Sequence, residues 1–230
     1  MMKTVGIIGG LGPETTSEFY LELSFGCQKK SNSKRPPILI WNVPQSYKVE
    51  EEVMVKSLKE DRYIPILQDA AKLLEKAGAD FLVMPCNTLH IFIKEIRSSV
   101  KIPVLSIVEE TTKFLKKKKI KEVGILATPG TVKWKLYENA LKNEGIKQVM
   151  PDGFDQAKIG KIINNIVMNR HANKDRHEIL GIIDKFGDKN IKNVILCCTD
   201  LQLLIQQHSK LNIYDTMKIF ADATIDKILE

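Results

Sequence analysis

Long apolar runs, cysteine and aromatic residues are all scarce in this chain, and each shortage closes off a class of function. No stretch of its 230 residues approaches the roughly 18 uncharged apolar positions of a membrane-spanning helix. The N-terminal run Val5-Gly6-Ile7-Ile8 stops at Gly9-Gly10, too short for the apolar centre of a secretory leader. A cytoplasmic protein with no membrane partner is therefore expected. The four cysteines, Cys27, Cys86, Cys197 and Cys198, contain no CxxC pair and lack zinc-ribbon spacing. In a reducing cytosol they are expected as free thiols, each either buried filler or chemistry. His171, His177 and His208 stand in polar surroundings without ligand spacing and read as surface residues, so no metal site is expected.

The formal charge of +7 raises the question of nucleic acid. The densest cations, Lys116 to Lys119, have no aromatics between them. They precede a strand signal and read as a solvated helix end, where positive charge complements the helix dipole. No nucleic-acid partner is expected, although a diffuse positive field would draw in small anions. Nucleotide motifs are also missing. Gly10-Leu11-Gly12-Pro13-Glu14-Thr15 has Thr15 where a dinucleotide fingerprint has its third glycine, and no GK[ST] occurs. The loop still suits a small anion such as a substrate carboxylate. Gly10 and Gly12 allow close backbone approach, and Pro13 is typical of a helix start.

What the chain does have is strand and helix in alternation. Strands are expected at Thr4 to Ile8, Ile38 to Asn42, Phe81 to Met84, Val104 to Ser106, Glu122 to Leu126 and Asn193 to Cys197. Their unbroken apolar character suits parallel sheets covered on both faces. Apolar residues at Ile66, Leu67, Ala70, Leu73, Leu74 and Ala77 have helical spacing, and Gly78 closes that helix. Further helices are expected over Glu14 to Cys27, Val132 to Asn143, His177 to Phe186 and Thr216 to Leu229. The class is α/β.

A repeat lies within the alternation. Val5-Gly6-Ile7-Ile8-Gly9 matches Val123-Gly124-Ile125-Leu126-Ala127, each followed by a turn and a helix. Phe81-Leu82-Val83-Met84-Pro85-Cys86-Asn87-Thr88-Leu89 matches Asn193-Val194-Ile195-Leu196-Cys197-Cys198-Thr199-Asp200-Leu201. Two related α/β halves are expected: residues 1–107 with 211–230, and residues 108–210. Ligands of parallel sheets bind beyond the carboxyl ends of the strands, and Cys86 and Cys198 each fall just past such an end. Pseudo-symmetric halves would present one thiol each across a shared cleft. Cys197 belongs to the strand and should face away from Cys198. Cys27, inside a helix, reads as core. His90, two residues beyond Thr88, is placed to orient a cleft group.

Opposed thiols suit inversion of a stereocentre. One thiolate takes a proton from one face while the other thiol delivers a proton to the opposite face, and the roles exchange in reverse. An ordinary thiol pKa of about 8.5 is close enough to neutrality for both states.

The motifs resemble the aspartate/glutamate racemase family over nearly the whole chain. IGGLGPETT (Ile8 to Thr16) is similar to that family's GGMGPxAT opening, and GADFLVMPCNTLH (Gly78 to His90) to its MPCNTAH. VLSIVEET (Val104 to Thr111) resembles its joining segment. VGILATPGT (Val123 to Thr131) and ILCCTDL (Ile195 to Leu201) resemble its second-half opening and its GCTEL. The resemblance implies two α/β/α domains with a cleft between them, no cofactor, a homodimer and an amino-acid substrate, with aspartate or glutamate leading. It places the proton transfers on Cys86 and Cys198. Substrate binding falls to Gly10, Thr16, Asn87, Thr88, Thr128 and Thr199.

Departures bear on the substrate. Cys197 replaces a usual glycine and Asp200 a glutamate. The family's PxIPDR-like loop corresponds to Pro44-Gln45-Ser46-Tyr47-Lys48-Val49, which has no arginine. Lys48 could supply the charge, less specifically than a bidentate guanidinium. A second family cation falls near Met168 or Arg170. A racemase of a neutral or longer amino acid is therefore an alternative, as is a maleate-type isomerase or decarboxylase of the same superfamily.

Overall fold

A computed structural model describes residues 2–31, 34–46, 52, 58 and 61–230. The chain forms two compact units. One comprises Met1–Gln45, Lys59–Glu110 and Met217–Glu230, and the other Ser46–Leu58 and Thr111–Thr216.

In the first unit, β1 (Val5–Gly9) lies between β2 (Ile38–Asn42) and β3 (Phe81–Val83), all parallel. Every residue of β1 is buried, which requires cover on both faces and explains why it lacks polar alternation. Helix α1 (Pro13–Ser31) follows β1, and α2 (Tyr63–Lys76) precedes β3. The buried stripe of α2 is Tyr63, Leu67, Ala70, Ala71 and Leu74. It is rotated from the expected face, since Leu73 is 44% exposed and Ala77 lies beyond the last turn. Gly78 at φ +97° ends the helix as expected. After β3 come a 3-10 turn (Thr88–Phe92), α3 (Ile93–Ser99) and α4 (Ile107–Lys117). The expected strand at Val104 to Ser106 is only a bridge between Leu82 and Val104. Pro103 has no N–H for a ladder, and the guanidinium of Arg97 donates to the Val104 carbonyl through Nε (3.0 Å) and Nη2 (2.9 Å).

In the second unit, β4 (Glu122–Ala127) lies between β5 (Lys147–Val149) and β6 (Asn193–Cys197), and β7 (Asn212–Asp215) pairs with β6. All three pairings are parallel. The expected helix over Val132 to Asn143 is two short helices, α5 (Pro129–Lys133) and α6 (Glu138–Asn143). Lys135 adopts φ +53° between them, which no helix accommodates. Helix α7 (Gly153–Val167) follows β5. Asp152 caps it, its Oδ1 accepting from Asp155 N at 2.8 Å, and Ile159, Ile162, Ile163 and Ile166 face the core at helical spacing. They pack with Ile179, Ile183 and Phe186 of α8 (Asn173–Asp188) against Leu126, Val194 and Leu196.

The sheets share one plan. The strand beside the central one on one flank is its immediate successor, and on the other flank is the strand that carries the chain into a cysteine. Helix α4 carries the chain from the first unit to the second, and α9 (Thr216–Leu229) carries it back. Among the described residues no helix is long and apolar enough to cross a membrane.

Candidate functional site

A parallel sheet whose order reverses about its central strand opens a crevice at the carboxyl ends of the two strands flanking the reversal. In the first unit these are β1 and β3, held side by side with Ile7 opposite Val83. The loop after β1 carries Gly10 and Thr16, and the segment after β3 carries Cys86, Asn87 and Thr88. In the second unit the equivalent strands are β4 and β6, with Ala127 opposite Cys197. Thr128 follows β4, and Cys198 and Thr199 follow β6. The residues expected to bind or react thus gather at the reversal of their own sheet, except Lys48, which lies outside the described residues.

Hydrogen bonds within the first loop set its shape. Gly10 adopts φ +80°, where a Cβ would lie 2.7 Å from Asn42 Oδ1. Its N–H donates to Thr16 Oγ1 at 3.0 Å, and that hydroxyl donates to the Gly12 carbonyl at 2.9 Å. Gln45 Nε2 donates to the Gly10 carbonyl at 3.3 Å, and Tyr63 Oη holds Gln45 Oε1 at 2.6 Å. Gln45 was not singled out from sequence. In the second unit Thr128 Oγ1 accepts from Thr131 N at 3.1 Å and donates to Thr131 Oγ1 at 3.0 Å, capping α5. Gln156 Nε2, also not anticipated, donates to the Ala127 carbonyl at 3.0 Å.

All four cysteines are free thiols. Cys86 and Cys198 are 3% and 5% exposed, so neither is a casual surface thiol, whereas Cys27 and Cys197 are sealed completely. Each of the first two meets a 3-10 turn. Cys86 precedes Asn87, which heads the turn Thr88–Phe92, and Cys198 itself heads the turn Thr199–Leu203. Cys198 Sγ donates to Asp200 Oδ2 at 3.5 Å, so the residue that departs from the family glutamate is the thiol's neighbour. Burial pushes the Cys197 thiol well above its ordinary range, an effect that a hydrogen bond with Tyr137 partly offsets. Cys197 therefore stays protonated and serves poorly as a base. Cys27 is shifted upward by burial too.

His90 is 1% exposed beneath the Cys86 turn. Burial lowers its pKa to about 4, so the ring is neutral at physiological pH. His208, expected at the surface, instead has a side chain only 6% exposed. Its Nδ1 accepts from Lys210 N (3.2 Å) and Leu211 N (3.3 Å), and Nε2 lies 3.4 Å from Asp184 Oδ1. The neighbouring Gln206, Gln207, Ser209 and Lys210 are exposed, and these give the segment its polar sequence. Among the described residues no group of three or more His, Cys, Asp or Glu could hold a metal ion.

The model of the Asp/Glu/Hydantoin racemase family matches residues 8–224. The chain is 28% identical over 230 residues to the broad specificity amino-acid racemase RacX of Bacillus subtilis (strain 168), covering 98% of both chains. Among solved structures it is similar to the Picrophilus torridus aspartate racemase (TM-score 0.81, 27% identity), covering 98% of this chain and 94% of that one. An aspartate racemase homologue from Pyrococcus horikoshii OT3 aligns over 100% of both chains at TM-score 0.80 and 27% identity.

Proposed function

The chain belongs to the Asp/Glu/Hydantoin racemase family, a family of isomerases, and from that premise we propose that it racemises an amino acid by two-base proton transfer between Cys86 and Cys198, without a cofactor. The observation that carries this reading is the equivalence of the two thiols. Each stands just beyond the strand beside the central one, at the reversal of its own sheet, and each meets a 3-10 turn. One thiolate removes the α-hydrogen as a proton. The other thiol then gives its proton to the opposite face of the resulting carbanion, and the two sulfurs have exchanged protonation states. The chemistry requires both sulfurs to reach one Cα.

Asn87, Thr88 and Thr199, all buried, supply polar groups for the substrate's amino and carboxylate groups. Gly10, Thr16 and Thr128 shape the loops that receive it, and Lys48 is assigned to a side-chain carboxylate. On that assignment aspartate or glutamate is the substrate. A second reading, a neutral or broader range of amino acids, is favoured by the missing arginine between Pro44 and Val49 and by full-length similarity to a racemase named for broad specificity. The working form is assigned as a cytoplasmic homodimer, to be checked by sedimentation.

The test is a screen of acidic, neutral and basic amino acids in heavy water with no cofactor added. Optical rotation should decay for at least one amino acid while its α-hydrogen exchanges for deuterium. No exchange with any of them ends the proposal. Cys86→Ala and Cys198→Ala should each lower the racemisation rate by about 100-fold to 10,000-fold, the range lost with a positioned acid or base. Cys27→Ala and Cys197→Ala should keep most of it.

A further inference from the structure

Beneath the Cys86 turn, one imidazole joins the thiol's own peptide to the start of the helix that carries the chain into the second unit. His90 Nδ1 lies 2.6 Å from the Cys86 carbonyl oxygen. Its Nε2 lies 3.1 Å from the backbone N of Ile107, the first residue of α4. The Ile107 N–H can only donate, so Nε2 must carry the lone pair and Nδ1 the proton. The neutral ring then donates to the carbonyl and accepts from the helix, satisfying one of the N–H groups a helix start leaves without partners. The ring also meets Phe220 of α9 edge-on, with centroids 6.2 Å apart and planes at 85°. The imidazole thus touches the thiol-bearing turn and both helices through which the chain passes between its units. The start of α4 is fixed independently by Arg97, which pairs with Glu109 at 2.8 and 3.0 Å while donating to Val104. Helix α4 is therefore a firm anchor for the ring rather than something the ring must hold up.

We infer that His90 is the positioning residue of Cys86: its Nδ1–H fixes the thiol's carbonyl, and with it the direction of the sulfur, against an anchor at Ile107. His90 does not touch the reacting atoms. The inference rests on the reading of Cys86 as a proton-transferring thiol.

Two substitutions separate the bonds. Asparagine reaches the Nδ1 position and can still donate to the Cys86 carbonyl, whereas glutamine reaches the Nε2 position and can serve only Ile107. His90→Asn should keep kcat within about 3-fold of the parent. His90→Gln should lose about 10-fold or more in kcat with KM within about 3-fold, although both variants lower the melting temperature. Iodoacetamide labelling, read by peptide mass spectrometry, adds a measure that needs no substrate. His90→Gln should shift the rate and pH midpoint of Cys86 alkylation and leave those of Cys198 in place. Equal kcat losses that follow stability alone, or an unmoved Cys86 profile in folded His90→Gln, overturn the inference. If neither variant folds, nitrogen-15 spectra of the parent protein decide. A fixed, unprotonated Nδ1–H tautomer down to pH 5 supports it, and an Nε2–H tautomer overturns it. If the parent racemises no amino acid, the function proposal fails, while the labelling comparison still reads whether His90 sets the environment of Cys86.

Discussion

The buried imidazole of His90 sets a pH limit on the fold as well as a direction for Cys86. An imidazole in an unfolded chain titrates near 6.5, whereas His90, held neutral by burial, titrates near 4. Between those values the unfolded chain binds more protons than the folded one, so stability present above pH 6.5 is lost as the pH falls toward 4. The loss attributable to this one group is on the order of 3 kcal/mol across the window. Urea unfolding at pH 7, 5.5 and 4 should show it, and His90→Asn, which has nothing to titrate there, should show a correspondingly shallower decline. Parallel declines in the two proteins would remove His90 from the account. The contrast between Cys197 and Cys198 has a similar basis. One residue along the strand turns the side chain to the opposite face, where Cys197 meets Tyr137 in a sealed interior. That contrast was legible in the sequence, because strand periodicity alone separates neighbouring residues. The burial of His208 was not legible, because its partners are the backbone groups of Lys210 and Leu211.

Among the elements, the central strands show why the repeat is visible in the amino-acid sequence. Gly6 and Gly124 hold the same place in their strands, and both are sites of close packing. A Cβ on Gly6 would lie 2.6 Å from Leu82 Cδ2 and 2.9 Å from Ala79 Cβ, and one on Gly124 would lie 2.9 Å from the Phe186 ring. Gly6→Ala and Gly124→Ala should each destabilise the protein by about 1–3 kcal/mol through overpacking, read as a lower midpoint in chemical unfolding. Gly181→Ala, with open space around its Cβ, should not. Equal midpoints for all three would contradict this close packing. Fully buried strands announce themselves by composition, and so β1, β3, β4 and β6 were expected close to where they lie. The short edge strands β5 and β7 are half-exposed, with too few apolar residues to stand out. The expected strand at Val104 stops at one bridge, in which Leu82 N donates to the Pro103 carbonyl and Leu105 N donates to the Leu82 carbonyl, because Pro103 has no N–H to extend the ladder and Val104 turns its carbonyl away to Arg97.

For the whole molecule, the decisive property is handedness, since two thiols that serve one stereocentre must serve opposite hands. On the two-base proposal racemisation needs both sulfurs, so the loss of activity expected in either alanine variant would not say which face each sulfur works on. Elimination needs only one. In β-chloroalanine, removal of the α-hydrogen as a proton leaves an electron pair that expels chloride from the neighbouring carbon. The resulting enamine hydrolyses to pyruvate and ammonium without a second proton donor at the α-carbon. If Cys86 and Cys198 divide the faces as proposed, the variant lacking one thiol should release pyruvate from one enantiomer of β-chloroalanine, and the variant lacking the other should release it from the mirror image. The parent should act on both. A coupled assay for pyruvate with each pure enantiomer reads this directly. Elimination of the same enantiomer by both variants would mean that a base other than these thiols takes the proton or that both thiols work on one face, and the equivalence of the two sheet reversals would then have no counterpart in the chemistry. With β-chloroalanine as a neutral substrate, turnover by the parent would also favour the broader substrate range over strict recognition of a side-chain carboxylate, for which the sequence between Pro44 and Val49 offers Lys48 and no arginine.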